Sequence, residues 1–569
     1  MSASGELRAD SAGSETRAER GRSSKPWGRD WLADLERLLV WTGERLNPIL
    51  VKEARQSLKS RQFVITFGLL LLCGWAWSVL GLALMGPEAA YTGRGPEMFT
   101  GYLVILAFPL LVIVPFWAFR SLATEQEDRT YELMSITALS PRQIISGKLG
   151  SAALQMLVYL SAVSPCLAFT YMLRGIAFPT ILVLLLYIVL GSLGLSVISL
   201  LIGTLTTEKH WQVVLSVLLI IGLVVAFIFA WQMCYFVLWH EDLPVDTAGF
   251  WQANAAWLTA YATYFMLVFY AAVAQITFAS DNRSTRLRIV MLVQYLCFVG
   301  WMAWSFIAIE RHSGMLFFFL CVAGLHWYVM GALMSGESPV LSPRVKRGLP
   351  QSFLGRAFLT WFNPGPGTGY LFAVCGALGA LVMVVIVLFF GEMTVAATLG
   401  RVRWSDGDSA RLLVLGVLIG AYVTAYLGIG LLVIRMLHRF GRVVMFLGVL
   451  IQLLLVLAGC AVPAVLQTMA GGYYYDTGYS LLHVTNPFWT LYHVVDDPTL
   501  PLDAGAILLL VPLTAVVVFL LNLPWVVREV REVRVAKPRR VAEEDAELAA
   551  QAAPPQPVRT SPWDVIEPG

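Results

Sequence analysis

Twelve apolar stretches dominate this chain, near residues 63–84, 100–119, 151–173, 180–205, 212–238, 255–279, 289–309, 315–335, 370–390, 411–434, 443–468 and 504–526. An α-helix rises about 1.5 Å per residue, so about 20 residues cross a hydrocarbon core of about 30 Å. Backbone amides at that depth must be satisfied inside the structure, which leaves helices or a closed barrel. The stretches are continuous rather than alternating. They predict an all-α, polytopic integral membrane bundle of about 12 transmembrane helices. Composition agrees, with 58% hydrophobic and 14% charged residues and a mean hydropathy of +0.70. Soluble enzymes, nucleic-acid-binding modules and disulfide-stapled secreted domains are excluded together. All seven cysteines fall in apolar stretches and form no CxxC, which predicts small packing residues rather than a zinc or redox centre.

The few charges carry the orientation. Threading the stretches alternately puts all but six of the 40 Lys and Arg residues on one side. The exceptions are Arg94, Arg174, Arg311, Arg401, Arg403 and Arg411. By the positive-inside rule both termini are expected in the cytoplasm.

Residues 1–30 read as a disordered cytoplasmic tail without the apolar core of a signal peptide. Residues 31–62 carry apolar positions at helical spacing, among them Trp31, Leu35, Ile49, Leu50, Ala54 and Leu58. Basic residues lie between and beside the later ones, and Asn47-Pro48 interrupts the segment. It predicts an amphipathic helix along the inner leaflet that turns into the first span. Residues 63–280 then form a first six-span module and 281–526 a second. Residues 527–569 are expected to continue the last helix into the cytoplasm, then to be disordered from Ala542.

Catalytic and energy-coupling signatures are missing from the chain. There is no H-E-x-x-H, no G-x-S-x-G and no Walker A sequence, since Gly147-Lys148 lacks the upstream glycine. No Asp or Glu falls inside the twelve stretches, and His326 is their one candidate titrating group, expected to pack beside Trp327. The expectation is a chain that is not an enzyme, holds no cofactor or metal, and draws any energy from a partner.

One inside loop, residues 120–150, is densely punctuated. Thr124-Glu125-Gln126-Glu127 fits a capping box that would start a short acidic helix. Ser140-Pro141-Arg142-Gln143 offers a second N-cap, with proline at the first helical position, leading through Lys148 into the third span. The result is a compact projection suited to docking another protein.

The same residues resemble the cytoplasmic signature of ABC-2-type transporter permeases. Glu125-x-Glu127-x-Arg129-Thr130-x-Glu132-Leu133-Met134, then Leu139-Ser140, then Gly147-Lys148, keep that family's register without a gap. Arg129 stands where the family usually has glycine, and Ala138 where it has proline. The segment around Asn47-Pro48 and Lys52-Glu53 is similar to its elbow helix, and the match covers about Leu46 to Thr207. The resemblance implies a permease subunit of an exporter in the cytoplasmic (inner) membrane. A separate ABC ATPase subunit, holding ATP and Mg, would couple to it through the loop. Glu125, Glu127, Thr130, Glu132 and Leu133 become candidate docking residues. Ser140 and Pro141 would set the second helix, Gly147 would permit close approach, and Lys148 would anchor at headgroups or contact the partner. Membrane lipids are further expected partners, and a homodimer or a second permease stays open. A non-transporting scaffold with a permease-like fold and a secondary transporter are the two rival readings.

The second half carries no such signature. Asn363-Pro364 before the ninth span echoes Asn47-Pro48 before the first, leaving a degenerate module or an accessory bundle. Gly416 and Gly420 form a G-x-x-x-G that allows close helix contact. The outside loop from Gln467 to Asp503 is rich in Tyr, Trp and His, which favours interfacial anchors over a substrate vestibule or a metal site at His493.

Overall fold

The computed structural model describes residues 47–86, 93–127, 139–205, 208–240, 243–278, 281–308, 313–337, 360–393, 408–437, 445–469, 479–496, 502–534 and 539–552, with residues 342, 345, 352, 354 and 439. Every regular element among them is helical. Twelve helices are long and apolar enough to cross a membrane, and they coincide with the twelve apolar stretches. The architecture is that of a polytopic helical membrane protein. The expected tail at residues 1–30 and the first part of the elbow segment lie outside the described residues.

A short helix α1 (Pro48–Leu58) leads into α2 (Arg61–Met85), and Ser60 caps the new start by accepting from the Phe63 amide at 3.1 Å. The second span combines α3 (Gly95–Phe108), a π-helical turn (Pro109–Ile113) and α4 (Val114–Glu127). Pro115 has no N–H to give the preceding turn, and the π turn absorbs the mismatch. A carbonyl left over there, that of Leu110, accepts from the buried Ser192 hydroxyl. The first half continues with α5 (Pro141–Met172), α6 (Phe178–Gly203), α7 (Lys209–His240) and α8 (Ala248–Ile276).

The second half comprises α9 (Thr285–Ala308), α10 (Ser313–Ser335), α11 (Pro366–Met393), α12 (Asp408–Leu437) and α13 (Met445–Met469). A 3-10 turn (Leu481–Thr485) and the short α14 (Pro487–Asp496) precede the long α15 (Leu502–Arg534). Beyond it α16 (Arg539–Ala552) is helical where disorder is expected from Ala542, and residues 553–569 lie outside the described residues. Its alanine- and glutamate-rich composition favours helix, and Arg540 pairs with Glu544 one turn on at 3.6 Å.

Each half is wrapped around one helix. In the span Gly95–Glu127, 67% of the most apolar window is buried, and in Ser409–Leu437 72%. The flanking spans Arg61–Leu84 and Lys209–Trp239 bury only 11%, so their side chains face outward, where lipid would be. In both halves the central helix is the second span after an Asn-Pro step. Helix α8 joins the halves. Leu267, Tyr270, Ala271 and Ala274 pack into the core of the second, while Phe269, Ala272, Val273 and Ile276 pack on α4, α5 and α6. The 3.6-residue period puts those two sets on opposite faces.

The cysteines only partly follow expectation. All seven are free, and Cys234 is buried, but Cys73, Cys321 and Cys375 are exposed on the bundle exterior.

Candidate functional site

The elbow and the loop helix meet at glycine. Pro48 occupies the first position of α1, and Asn47 caps it by accepting from the Ile49 amide at 3.1 Å. The other end of the same side chain donates to the Gln143 carbonyl and, at 3.2 Å, to Ser146 Oγ, both on α5. One residue therefore starts one helix and fastens it to another. At the contact, a β-carbon on Gly147 would lie 2.8 Å from Ile49 Cβ, and one on Gly150 would lie 2.8 Å from Leu50 Cδ1. Gly147 thus permits the expected close approach, and α1 is what approaches. Ser57 and Ser151 share a hydroxyl hydrogen bond of 3.2 Å farther along.

Between α1, α4 and α5 lies a buried charge cluster. Lys148 Nζ is 2.9 Å from Glu125 Oε2 and 3.3 Å from Glu53 Oε1, and donates to the Ser121 carbonyl at 3.2 Å. The lysine side chain is 1% exposed. A buried ammonium is tolerated only when paired and hydrogen-bonded, and two carboxylates and a carbonyl meet that need. Lys52 flanks the outer side at 3.8 Å from Glu125 Oε1. The expected headgroup or partner contact of Lys148 is corrected accordingly: the side chain points inward and joins three helices.

The two expected helix starts have different outcomes. Ser140, Pro141 and Gln143 form the capping box read from the sequence, with Ser140 N donating to Gln143 Oε1 at 2.9 Å and Gln143 N to Ser140 Oγ at 3.4 Å. Thr124 starts nothing. Helix α4 is already running at Thr124 and continues through Glu127, so Glu125 and Glu127 do not occupy a first turn. Burial decided this: Ala118, Phe119, Leu122 and Ala123 form a continuous apolar face that holds the helix together past the local cap signal. Glu127 is partly exposed where the described chain stops. Thr130, Glu132 and Leu133 lie outside the described residues.

A second cluster occupies the same end of the bundle. Arg288 near the start of α9 is fully buried. Its Nη1 donates to the Trp361 carbonyl at 2.9 Å and to Thr368 Oγ1 at 3.1 Å. Its Nη2 donates to the Gly365 carbonyl at 2.9 Å and to Glu337 Oε2 at 2.5 Å. Glu529 on α15 is also buried and accepts from the Thr368 amide at 3.0 Å, capping the start of α11 from another helix. A β-carbon on Gly367 would sit 2.8 Å from that carboxylate, so glycine is what lets it approach. The Asn363-Pro364 echo thus marks a second buried ionic cluster. The twelve stretches themselves hold no carboxylate, but the helices run past them: Glu529 lies three residues beyond the 504–526 stretch within Gly505–Arg531, as Glu97, Glu125 and Glu127 lie within Gly95–Glu127.

Sequence reasoning missed these three charges, although a signal existed. Ile507, Val511, Ala515, Val518, Asn522 and Val526 form the buried stripe of α15 at steps of three and four, and Glu529 is its next position.

Other candidates resolve into packing. His326 lies 5.8 Å from the Tyr295 ring in a stack, and His493 stacks flat on Tyr479 at 4.3 Å. Gly416 and Gly420 face Leu381 and Leu378 of α11, so the G-x-x-x-G is used within the chain. Comparison with protein-family models, with curated proteins and with solved structures finds no match.

Proposed function

We propose that this chain is the membrane-spanning permease subunit of an ATP-driven ABC-2-type exporter, with both termini in the cytoplasm of an inner-membrane protein. The observation that carries the reading is the junction of α1, α4 and α5 through Lys148, Glu125 and Glu53, at the base of the loop that bears the permease-like signature. A separate ABC ATPase would press on residues 128–140. The force enters α4 and α5 at the loop's two ends, and the ionic junction makes those ends and the elbow respond together. Glu127, Glu132 and Thr130 remain the docking candidates, whereas Glu125 and Lys148 hold the base rigid. ATP and Mg belong to the partner in this scheme.

Purification of the full chain in mild detergent, with identification of copurifying proteins, tests the reading. Recovery of an ABC ATPase, lost on joint Glu127→Lys and Glu132→Lys substitution, is the expected outcome. Recovery of no nucleotide-binding protein would overturn it in favour of the scaffold. A secondary transporter draws on one observation, the buried carboxylate of Glu529. Ion-gradient-driven, ATP-independent transport in proteoliposomes would establish it.

A further inference from the structure

A cavity of about 770 Å³ lies between α1, the start of α2, α4 and α5. Its walls change character along the helix axes. At the charged end stand Lys52, Arg120 and Lys148 with the carboxylates of Glu53 and Glu125, beside Gln56, Ser57 and Thr124. Farther in stand Phe63, Val114, Phe116, Trp117 and Tyr159, with Phe63 stacked on Tyr159 at 5.3 Å. From Lys148 to Tyr159, both on its wall, α5 advances about 16 Å at 1.5 Å per residue. The cavity therefore reaches from the charged end of the bundle well into the depth of the apolar helices.

The charge balance selects the ligand. Lys148 is consumed by Glu53 and Glu125. Lys52, 59% exposed, lies 4.0 Å from Glu53 Oε1 and 3.8 Å from Glu125 Oε1 and balances the second carboxylate, while Arg120 has no side-chain partner among the described residues. The three cations of the lining thus exceed its two carboxylates by one, and that positive charge faces the polar part of the cavity beside hydroxyl and amide donors, above an aromatic wall. A soluble anion would leave that wall bare, and a plain hydrocarbon would leave the excess positive charge unmatched. We infer that this cavity binds the phosphate headgroup of an anionic phospholipid, with the first part of an acyl chain against Phe63, Trp117 and Tyr159. The site is independent of ATPase docking, so the two readings stand or fall separately.

The full chain, reconstituted in bilayers of phosphatidylcholine with a minor fraction of diazirine-bearing phosphatidylglycerol, provides the test. Photolabelling is expected on peptides that contain Phe63, Trp117 or Tyr159. Joint Lys52→Gln and Arg120→Gln substitution is expected to reduce the labelling about thirtyfold, since each basic contact to an anionic headgroup contributes about 1 kcal/mol. Arg540→Gln, remote and exposed, serves as the control and leaves it unchanged. Excess glycerol 3-phosphate distinguishes a free phosphate site from a lipid site. Competition by that soluble anion, labelling insensitive to the double substitution, or labelling confined to other helices would each overturn the proposal. Unchanged thermal unfolding of the double variant keeps a loss of labelling from being a loss of fold.

Discussion

Lys148 Nζ and Glu125 Oε2 stand 2.9 Å apart with side chains 1% and 14% exposed, a contact that ties the start of the third span to the end of the second. Removing the lysine leaves two largely buried carboxylates facing only the exposed Lys52. Lys148→Met is therefore expected to destabilise the protein by about 3–5 kcal/mol. Replacing Glu53 and Glu125 by Gln in the same chain should recover much of that loss. Thermal unfolding in detergent measures both, and a triple variant no more stable than Lys148→Met would refute the charge argument.

Two glycines offer a contrast within one experiment. Gly147→Ala puts a methyl group 2.8 Å from Ile49 Cβ and should cost about 1–3 kcal/mol by forcing α1 off α5. Gly68→Ala on α2 meets nothing within 4 Å and is expected to be neutral or slightly stabilising. Equal effects at the two sites would mean that α1 does not rest on Gly147.

Arg288→Met leaves the Glu337 carboxylate with the Gly365 amide but no cation, and the Gly365 and Trp361 carbonyls without the guanidinium that donates to them, with an expected cost of about 3–5 kcal/mol. Arg288→Lys should recover only part, because one ammonium cannot reproduce the planar fork that reaches four acceptors. Glu529→Gln keeps an oxygen for the Thr368 amide and is expected to cost less than Glu529→Leu. If the glutamine and leucine variants unfold at the same temperature, the helix-capping role is wrong.

At the π turn, Ser192→Ala removes the donor to the Leu110 carbonyl. The expected loss is about 1 kcal/mol, read from the same unfolding curves. Pro115→Ala restores an N–H to the preceding turn, and the double variant should be milder than the sum of the two.

Long apolar runs were the legible part of this molecule, because their length and continuity leave the backbone little choice. All twelve became helices. The Ser140 cap was legible for a similar reason, since its partners lie within three residues. The Thr124 box had equally good local chemistry and lost to a face of α4 buried by distant residues. Lys148 read as a surface anchor because its partners are 95 and 23 positions away, a separation that local spacing does not encode. Glu529 escaped because a charge after an apolar run resembles an exit into water, although its place in the α15 stripe already pointed inward.

The opposite faces of α8 belong to different interiors, and among the described residues no other helix contributes to both. A six-span body on either side therefore owns its own hydrophobic interior. Its neighbour is attached along the flank of one rod. Scission of the chain at residues 279–280, between α8 and α9, would leave each fragment with nearly all the side chains that hold it together. Rotation about the rod would disturb Leu267, Tyr270, Ala271 and Ala274 while sparing the rest of either half.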